Sequence, residues 1–111
     1  MPRVDKIGLV FETYFVYIMT NQNNTVLYVG ITSELENRCI QHRNKNYPDS
    51  FSAKYNVNKL VYCERFGNAI DAIAREKQIK AGARKKKINP IEKDNPKWND
   101  LFETKFGTDW I

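Results

Sequence analysis

Residues 14–42 read YFVYIMTNQNNTVLYVGITSELENRCIQH, and two short runs within them decide the fold. Tyr14 to Met19 and Val26 to Ile31 are rich in aromatic and β-branched residues, which suit a pleated, half-buried surface. Between them Thr20-Asn21-Gln22-Asn23-Asn24-Thr25 consists almost wholly of turn formers. The pattern predicts a β-hairpin. Directly after it, Gly30-Ile31-Thr32-Ser33 leads into Glu34-Leu35-Glu36. Ser33 with Glu36 has the form of a capping box, so a helix is expected to start there. At about 100° per residue, Leu35, Arg38, Cys39 and His42 share one face of that helix. Two strand tyrosines, Tyr17 and Tyr28, are therefore followed by an Arg/His pair one helical turn apart. Taken singly, such tyrosines more often pack than react, and a lone arginine is usually a solvated cation.

With 111 residues, 41% hydrophobic and 13% aromatic, the chain suits one compact domain with its own core and is too small for two. No apolar run approaches the roughly 20 residues of a membrane span. Met1 to Lys6 lacks the pattern of a secretory signal, so the expected location is the cytosol. Cys39 and Cys63 read as small buried residues rather than a disulfide framework. A single histidine leaves a structural zinc site short of ligands.

The net charge is +5, and its placement is more telling than its size. Between Arg75 and Lys87 stand seven basic residues against Glu76 alone, while the rest of the chain holds 11 basic and 12 acidic residues. Lys77, Lys80, Arg84, Lys85, Lys86 and Lys87 are the candidate contacts to a polyanion. A solvated helix face is the plainer explanation of the same run.

Residues 1–13 show no clear period and are expected to form an arm. Arg43 to Ser50 reads as a surface loop broken by Pro48, with a short helix or turn over Phe51 to Tyr55. Lys59 to Phe66 has strand character and ends at Gly67-Asn68, so it can join the hairpin as a third strand. Asn68 suits a cap for a helix from Ala69 to about Ala81, stopped at Gly82. On that helix Ala69, Ala72, Ile73, Ile79 and Ala83 form an apolar stripe with Glu76 near its centre. A carboxylate there needs a partner, either a base such as Lys80 or a bound cation. Asn95-Pro96 looks like a helix start, with Asn89-Pro90 as a competing candidate. Trp98 and Leu101 suit core anchors, and residues 103–111 are left as a tail. The expected architecture is a single α+β domain over residues 14–102, a three-stranded antiparallel sheet flanked by helices.

Val16-Tyr17, then Tyr28-Val29-Gly30, then Arg38 with His42, together resemble the GIY-YIG endonuclease superfamily. The likeness is greatest to its small stand-alone bacterial members, related to the N-terminal nuclease domain of the excision-repair enzyme. Glu76 within Arg75-Glu76-Lys77-Gln78-Ile79-Lys80 matches the family's metal-binding glutamate, and Asn95-Pro96-Lys97-Trp98 its closing Asn-Pro-x-Trp segment. The resemblance implies metal-dependent hydrolysis of phosphodiester bonds, in DNA more than RNA, in repair or processing. Tyr17 would be the base and His42 would take up its proton; Tyr28 would orient water or phosphate, and Arg38 would bind the scissile phosphate. Glu76 would hold Mg²⁺ or Mn²⁺, with Gly30 and Asn95 in support. Phe15 stands where the family name has glycine. Ile31 stands where the excision-repair domain has a lysine, a loss for which His42 is a partial substitute. So small a domain leaves little surface for specificity, which leaves room for an accessory protein. The rival readings are a nucleic-acid-binding module that does not cleave and a structural interaction domain with an incidental basic face.

Overall fold

The computed structural model describes residues 3–4, 10–11 and 13–106. In chain order the elements are β1 (Arg3–Val4), β2 (Val10–Phe11), β3 (Tyr14–Thr20), β4 (Leu27–Thr32), α1 (Leu35–Arg43), α2 (Phe51–Lys54), β5 (Lys59–Phe66), α3 (Ala69–Ala81), α4 (Arg84–Asp94) and α5 (Phe102–Phe106). β3 lies between β4 and β5 in a three-stranded antiparallel sheet. The α+β architecture is thus the expected one.

The hairpin is closed by its turn residues. The Asn21 carboxamide oxygen accepts from the Thr25 and Val26 amides at 2.8 and 3.1 Å. Asn24 takes a left-handed φ of 58°, which asparagine tolerates better than most residues, and the Thr20 hydroxyl donates to the Val26 carbonyl at 2.7 Å. The resulting register sets Tyr17 opposite Gly30 on one side and Cys63 on the other. Ile18 faces Tyr62 and Met19 faces Leu60, so Val61 is an extra residue that bulges β5.

Alternation along β3 then divides the core in two. Val16 and Ile18 pack with Val29, Val61, Ala72, Ile79 and Ile91 beneath α3 and α4. Tyr17 and Met19 face the other way, against Leu35 and Cys39 of α1, with Leu60 and Phe102. Each fully buried aliphatic side chain contributes about 1.5–3 kcal/mol, so both layers are held to the sheet by burial. Cys39 is buried and Cys63 half-buried.

A clasp near the end of the chain ties the second layer together. The Asp100 carboxylate accepts from the Leu60 and Phe102 amides at 3.2 and 3.0 Å and pairs with Arg43 at 2.7 Å. The Leu101 amide donates to the Leu60 carbonyl at 2.7 Å. Arg43 also lies over the Phe102 ring, 4.5 Å from its centre, so α1, β5 and α5 are joined at one point.

Several expectations are corrected. The Ser33–Glu36 capping box does not form: the Thr32 hydroxyl takes the Glu34 amide at 3.0 Å, and α1 starts after Glu34 with no side-chain cap. Asn95-Pro96 ends α4 instead of starting a helix. The residue before a proline is driven out of helical geometry, so the dipeptide can serve either end; Asn95 sits at φ −143°, ψ 66°. Asn89-Pro90, the competing helix start, lies inside α4 (Arg84–Asp94) and starts no helix either. On α3, Ala72 and Ile79 are buried, but Ile73 is 42% exposed and Ala83 caps α4, so the apolar stripe is narrower than expected. The Asn68 cap is present, accepting from the Asp71 amide at 2.9 Å. Within the expected arm, β1 and β2 pair antiparallel; residues 1–2, 5–9 and 12 lie outside the described residues. α5 extends into the segment left as a tail, of which residues 107–111 lie outside the described residues.

Candidate active site

Tyr17, at the middle of the central strand, is 1% exposed, and its hydroxyl lies 3.0 Å from His42 Nε2. β3 and α1 bring the two together across the second layer. His42 Nδ1 lies 2.8 Å from the Ser52 hydroxyl, which is 3.2 Å from the Ser50 hydroxyl. Ser50 in turn caps α2 by accepting from the Ala53 amide at 3.3 Å. A polar relay thus runs from the buried tyrosine to the start of α2.

Gly30 makes room for the first member of that relay. A Cβ at this position would lie 2.5 Å from Tyr17 Cζ and from its hydroxyl oxygen. Tyr28, two residues earlier on the same strand face, presents its ring edge-on to His42 with centroids 5.0 Å apart. Exposed Arg38 joins Tyr28, His42, Lys45 and Phe51 in lining a cleft of about 210 Å³.

Burial pushes the Tyr17 pKa well above its ordinary value; Tyr28 adds to the rise, and Arg38 works against it. No standing phenolate follows. Burial also pushes His42 down to about 4, with the Arg38 charge acting the same way, so the imidazole is neutral at pH 7. A neutral ring has one N–H. With the proton on Nδ1, His42 donates to Ser52 and accepts from the Tyr17 hydroxyl at Nε2. The reverse tautomer reverses the relay.

Glu76 and Asn95 sit elsewhere. Glu76 is on α3, the helix over the opposite sheet face, where its carboxylate lies 3.4 Å from Lys80; it does not line the Arg38 cleft. Among the described residues no three acidic, histidine or cysteine side chains converge as metal ligands. Mg²⁺ commonly takes one or two carboxylates and completes its shell with water and substrate phosphate. Glu76, with its side chain 16% exposed, fits a cation in that form alone. Asn95 is 5% exposed and uses its carboxamide on backbone. It donates to the Val61 and Asn99 carbonyls at 3.1 and 2.8 Å and accepts from the Asn99 amide at 3.1 Å. This bonds the carbonyl of the bulged residue and ties the loop after α4 to β5. Ile31 packs with the α3 layer, away from Tyr17.

The basic run projects from α3 and α4. Lys77, Lys80, Arg84, Lys85 and Lys86 are exposed and Lys87 is half-buried. Arg84 donates to the Asn24 and Thr25 carbonyls at 2.9 and 3.1 Å, and Lys87 to the Gly82 carbonyl at 3.3 Å. With Lys80 beside Glu76, part of the charge is already engaged. A larger cavity, about 620 Å³ between β5, α3 and α4, is lined by the hydrogen-bonded set Tyr62, Glu64 and Arg75 and lacks the Tyr17 relay.

The sequence pattern points to neither Ser50 nor Ser52 as a site residue. Ser50 after Pro48-Asp49 is a readable cap signal, but the Ser52–His42 contact spans a loop and has no local signature.

A model of the GIY-YIG catalytic domain matches residues 13–89. A UPF0213 protein of Pediococcus pentosaceus is 35% identical over 89 residues, 80% of this chain and 90% of that protein. Another, from Staphylococcus saprophyticus, is 32% identical over 84 residues, 72% of this chain and 95% of that protein. The solution NMR structure of a UPF0213 protein from Bacillus halodurans shares the fold with a TM-score of 0.52 at 19% identity, covering 82% of this chain and 95% of that one. No described helix is long and apolar enough to cross a membrane. The matched span takes in the paired tyrosines, Arg38, His42 and Glu76, and the chain belongs to the GIY-YIG family of nuclease domains, among its UPF0213 members.

Proposed function

We propose that this protein hydrolyses phosphodiester bonds in nucleic acid, DNA in preference to RNA, with Tyr17 as general base and His42 as the acceptor of its proton. The observation that carries the reading is the 3.0 Å contact between the buried Tyr17 hydroxyl and His42 Nε2, with the imidazole held neutral. Water attacks phosphorus and yields a proton to the Tyr17 oxygen as the Tyr17 proton passes to Nε2. The leaving oxygen is protonated from solvent. Arg38 holds the nonbridging oxygens and Tyr28 orients the water. Before substrate arrives, the Arg38 charge disfavours imidazolium; a bound phosphate offsets that charge and raises the basicity of His42. Phosphate binding then arms the base. A metal-holding role for Glu76 toward Mg²⁺ or Mn²⁺ rests on the family match alone, since α3 keeps this carboxylate over the other sheet face and outside the Arg38 cleft.

Tyr17→Phe tests this. Cleavage of a mixed substrate panel with Mg²⁺ or Mn²⁺ should fall by roughly 10²-fold or more, the usual scale for a general base, with fold and binding retained. Unchanged cleavage would remove Tyr17 from the mechanism. If the wild type cleaves nothing and only binds, the reading gives way to a binding module.

A further inference from the structure

Three large aromatic side chains stand on the surface within nine residues: Tyr47 is 60% exposed, Phe51 49% and Tyr55 51%. They are not loosely placed. The Ser50 amide donates to the Tyr47 carbonyl at 2.9 Å, the Val57 amide to the Ser52 carbonyl at 2.8 Å, and Lys45 Nζ to the Asn56 side chain at 2.7 Å. The rings continue outward from the candidate active site. Tyr28 stacks on Phe51 with centroids 6.5 Å apart and planes 29° from parallel, and Phe51 meets Tyr55 at 4.7 Å. Tyr47 and Phe51 line the same cleft as Arg38 and Lys45. Nothing in the proposed hydrolysis uses this ridge.

Flat aromatic faces beside cations, here Arg38 and Lys45, form the composition that binds unpaired bases, because every base offers a π-face while the cations contact the backbone. In an intact duplex those faces are covered by neighbouring bases. We propose that the ridge of Phe51 and Tyr55, flanked by Tyr47, binds unpaired bases next to the phosphate held by Arg38. The substrate is then a single strand, or a branched nucleic acid with an unpaired arm, rather than continuous duplex. The position of the scissile phosphate rests on the nuclease reading; the base-binding ridge does not.

The test measures binding by fluorescence anisotropy in chelator, so that cleavage plays no part. The probes are a short single strand as DNA and as RNA, the corresponding DNA duplex, and an abasic strand with the same phosphates. Phe51→Leu and Tyr55→Leu should each weaken single-strand binding by roughly 10-fold, the scale of base–aromatic stacking. Phe51→Trp should restore it, and duplex and abasic affinities should not change. The strand bound more tightly identifies DNA or RNA as the source of the bases. Equal losses on the abasic strand, or none on any probe, overturn the proposal. Both rings are half-exposed, so the variants should fold, which circular dichroism checks. Ring-dependent binding without cleavage in Mg²⁺ would leave the ridge standing and sink the nuclease reading; normal cleavage with ring-independent binding would do the opposite.

Discussion

Replacing glycine by alanine inside a strand ordinarily gains about 0.5–1 kcal/mol, because glycine loses more backbone freedom on folding. Gly30→Ala should do the reverse. The new methyl would lie 2.5 Å from Tyr17 Cζ and its oxygen and 2.8 Å from Cε1, so the ring must retreat by roughly 1 Å to reach ordinary contact near 3.5–4.0 Å. Tyr17 is fully buried, and the His42 and Tyr28 rings stand against it. Overpacking of this kind costs about 1–3 kcal/mol, which at about 4–8 °C per kcal/mol is a fall in Tm of roughly 4–24 °C. The same displacement breaks the 3.0 Å contact with Nε2, and a misplacement of about 1 Å can lower turnover by some 10²-fold. Thermal unfolding and cleavage rates should be read together in wild type, Gly30→Ala, Tyr17→Leu and the double variant. Leucine ends short of Cζ, so the penalty of Gly30→Ala should nearly vanish in that background. A Gly30→Ala protein as stable as wild type, or a penalty that persists when Tyr17→Leu is also present, would refute the steric argument.

The remaining predictions concern charge. His42 titrates at 6.5 in an open chain and about 4 in the fold, so the unfolded state takes the proton first. Stability should be complete above about pH 6.5 and decline toward pH 4, by about 1–2 kcal/mol after allowance for partial exposure. Urea unfolding against pH should show this slope flattened in His42→Gln, and the acid limb of the free enzyme's activity should lie near pH 4 rather than 6.5. Lys85, Lys86 and Lys87 replaced together by Gln should reduce the log–log salt slope of binding by about one to three units; an unchanged slope would make them a solvated face. Glu76→Gln should abolish metal-dependent cleavage while binding holds or tightens. Because Lys80 is half-exposed, the lost ion pair should cost under about 1 kcal/mol, so a large drop in Tm would assign Glu76 to stability instead.

What could be read beforehand was what local chemistry determines. The hairpin followed from β-branched runs around asparagines, β5 from its strand run ending at Gly67, and α3 from the Asn68 cap. The errors fall where two local signals compete. Thr32 and Ser33 both offer hydroxyls ahead of α1, and only the built turn gives the Glu34 amide to Thr32. Asn95-Pro96 suits either end of a helix until the carboxamide finds Val61. Within the candidate site, Tyr17, Tyr28, Arg38 and His42 could be singled out because strand and helix periods place them. Ser52 could not, since its bond to His42 depends on how the loop over residues 44–50 returns. Packing of Tyr17 was the plainer expectation for a strand tyrosine, but the degree of its burial depends on α1 and α5 covering the same face.

The Asp100 clasp has a temporal consequence. Its bonds to Arg43 and Leu60 span 57 and 40 residues, and the hairpin and α1 emerge well before residue 100, so the helix carrying Arg38 and His42 gains its anchor to Leu60 only once that residue is in place. Domains fold as units when their long-range contacts become available. A candidate site braced through such long-range contacts is complete only when the whole second layer has formed, so the position of His42 depends on residues far from it in the chain.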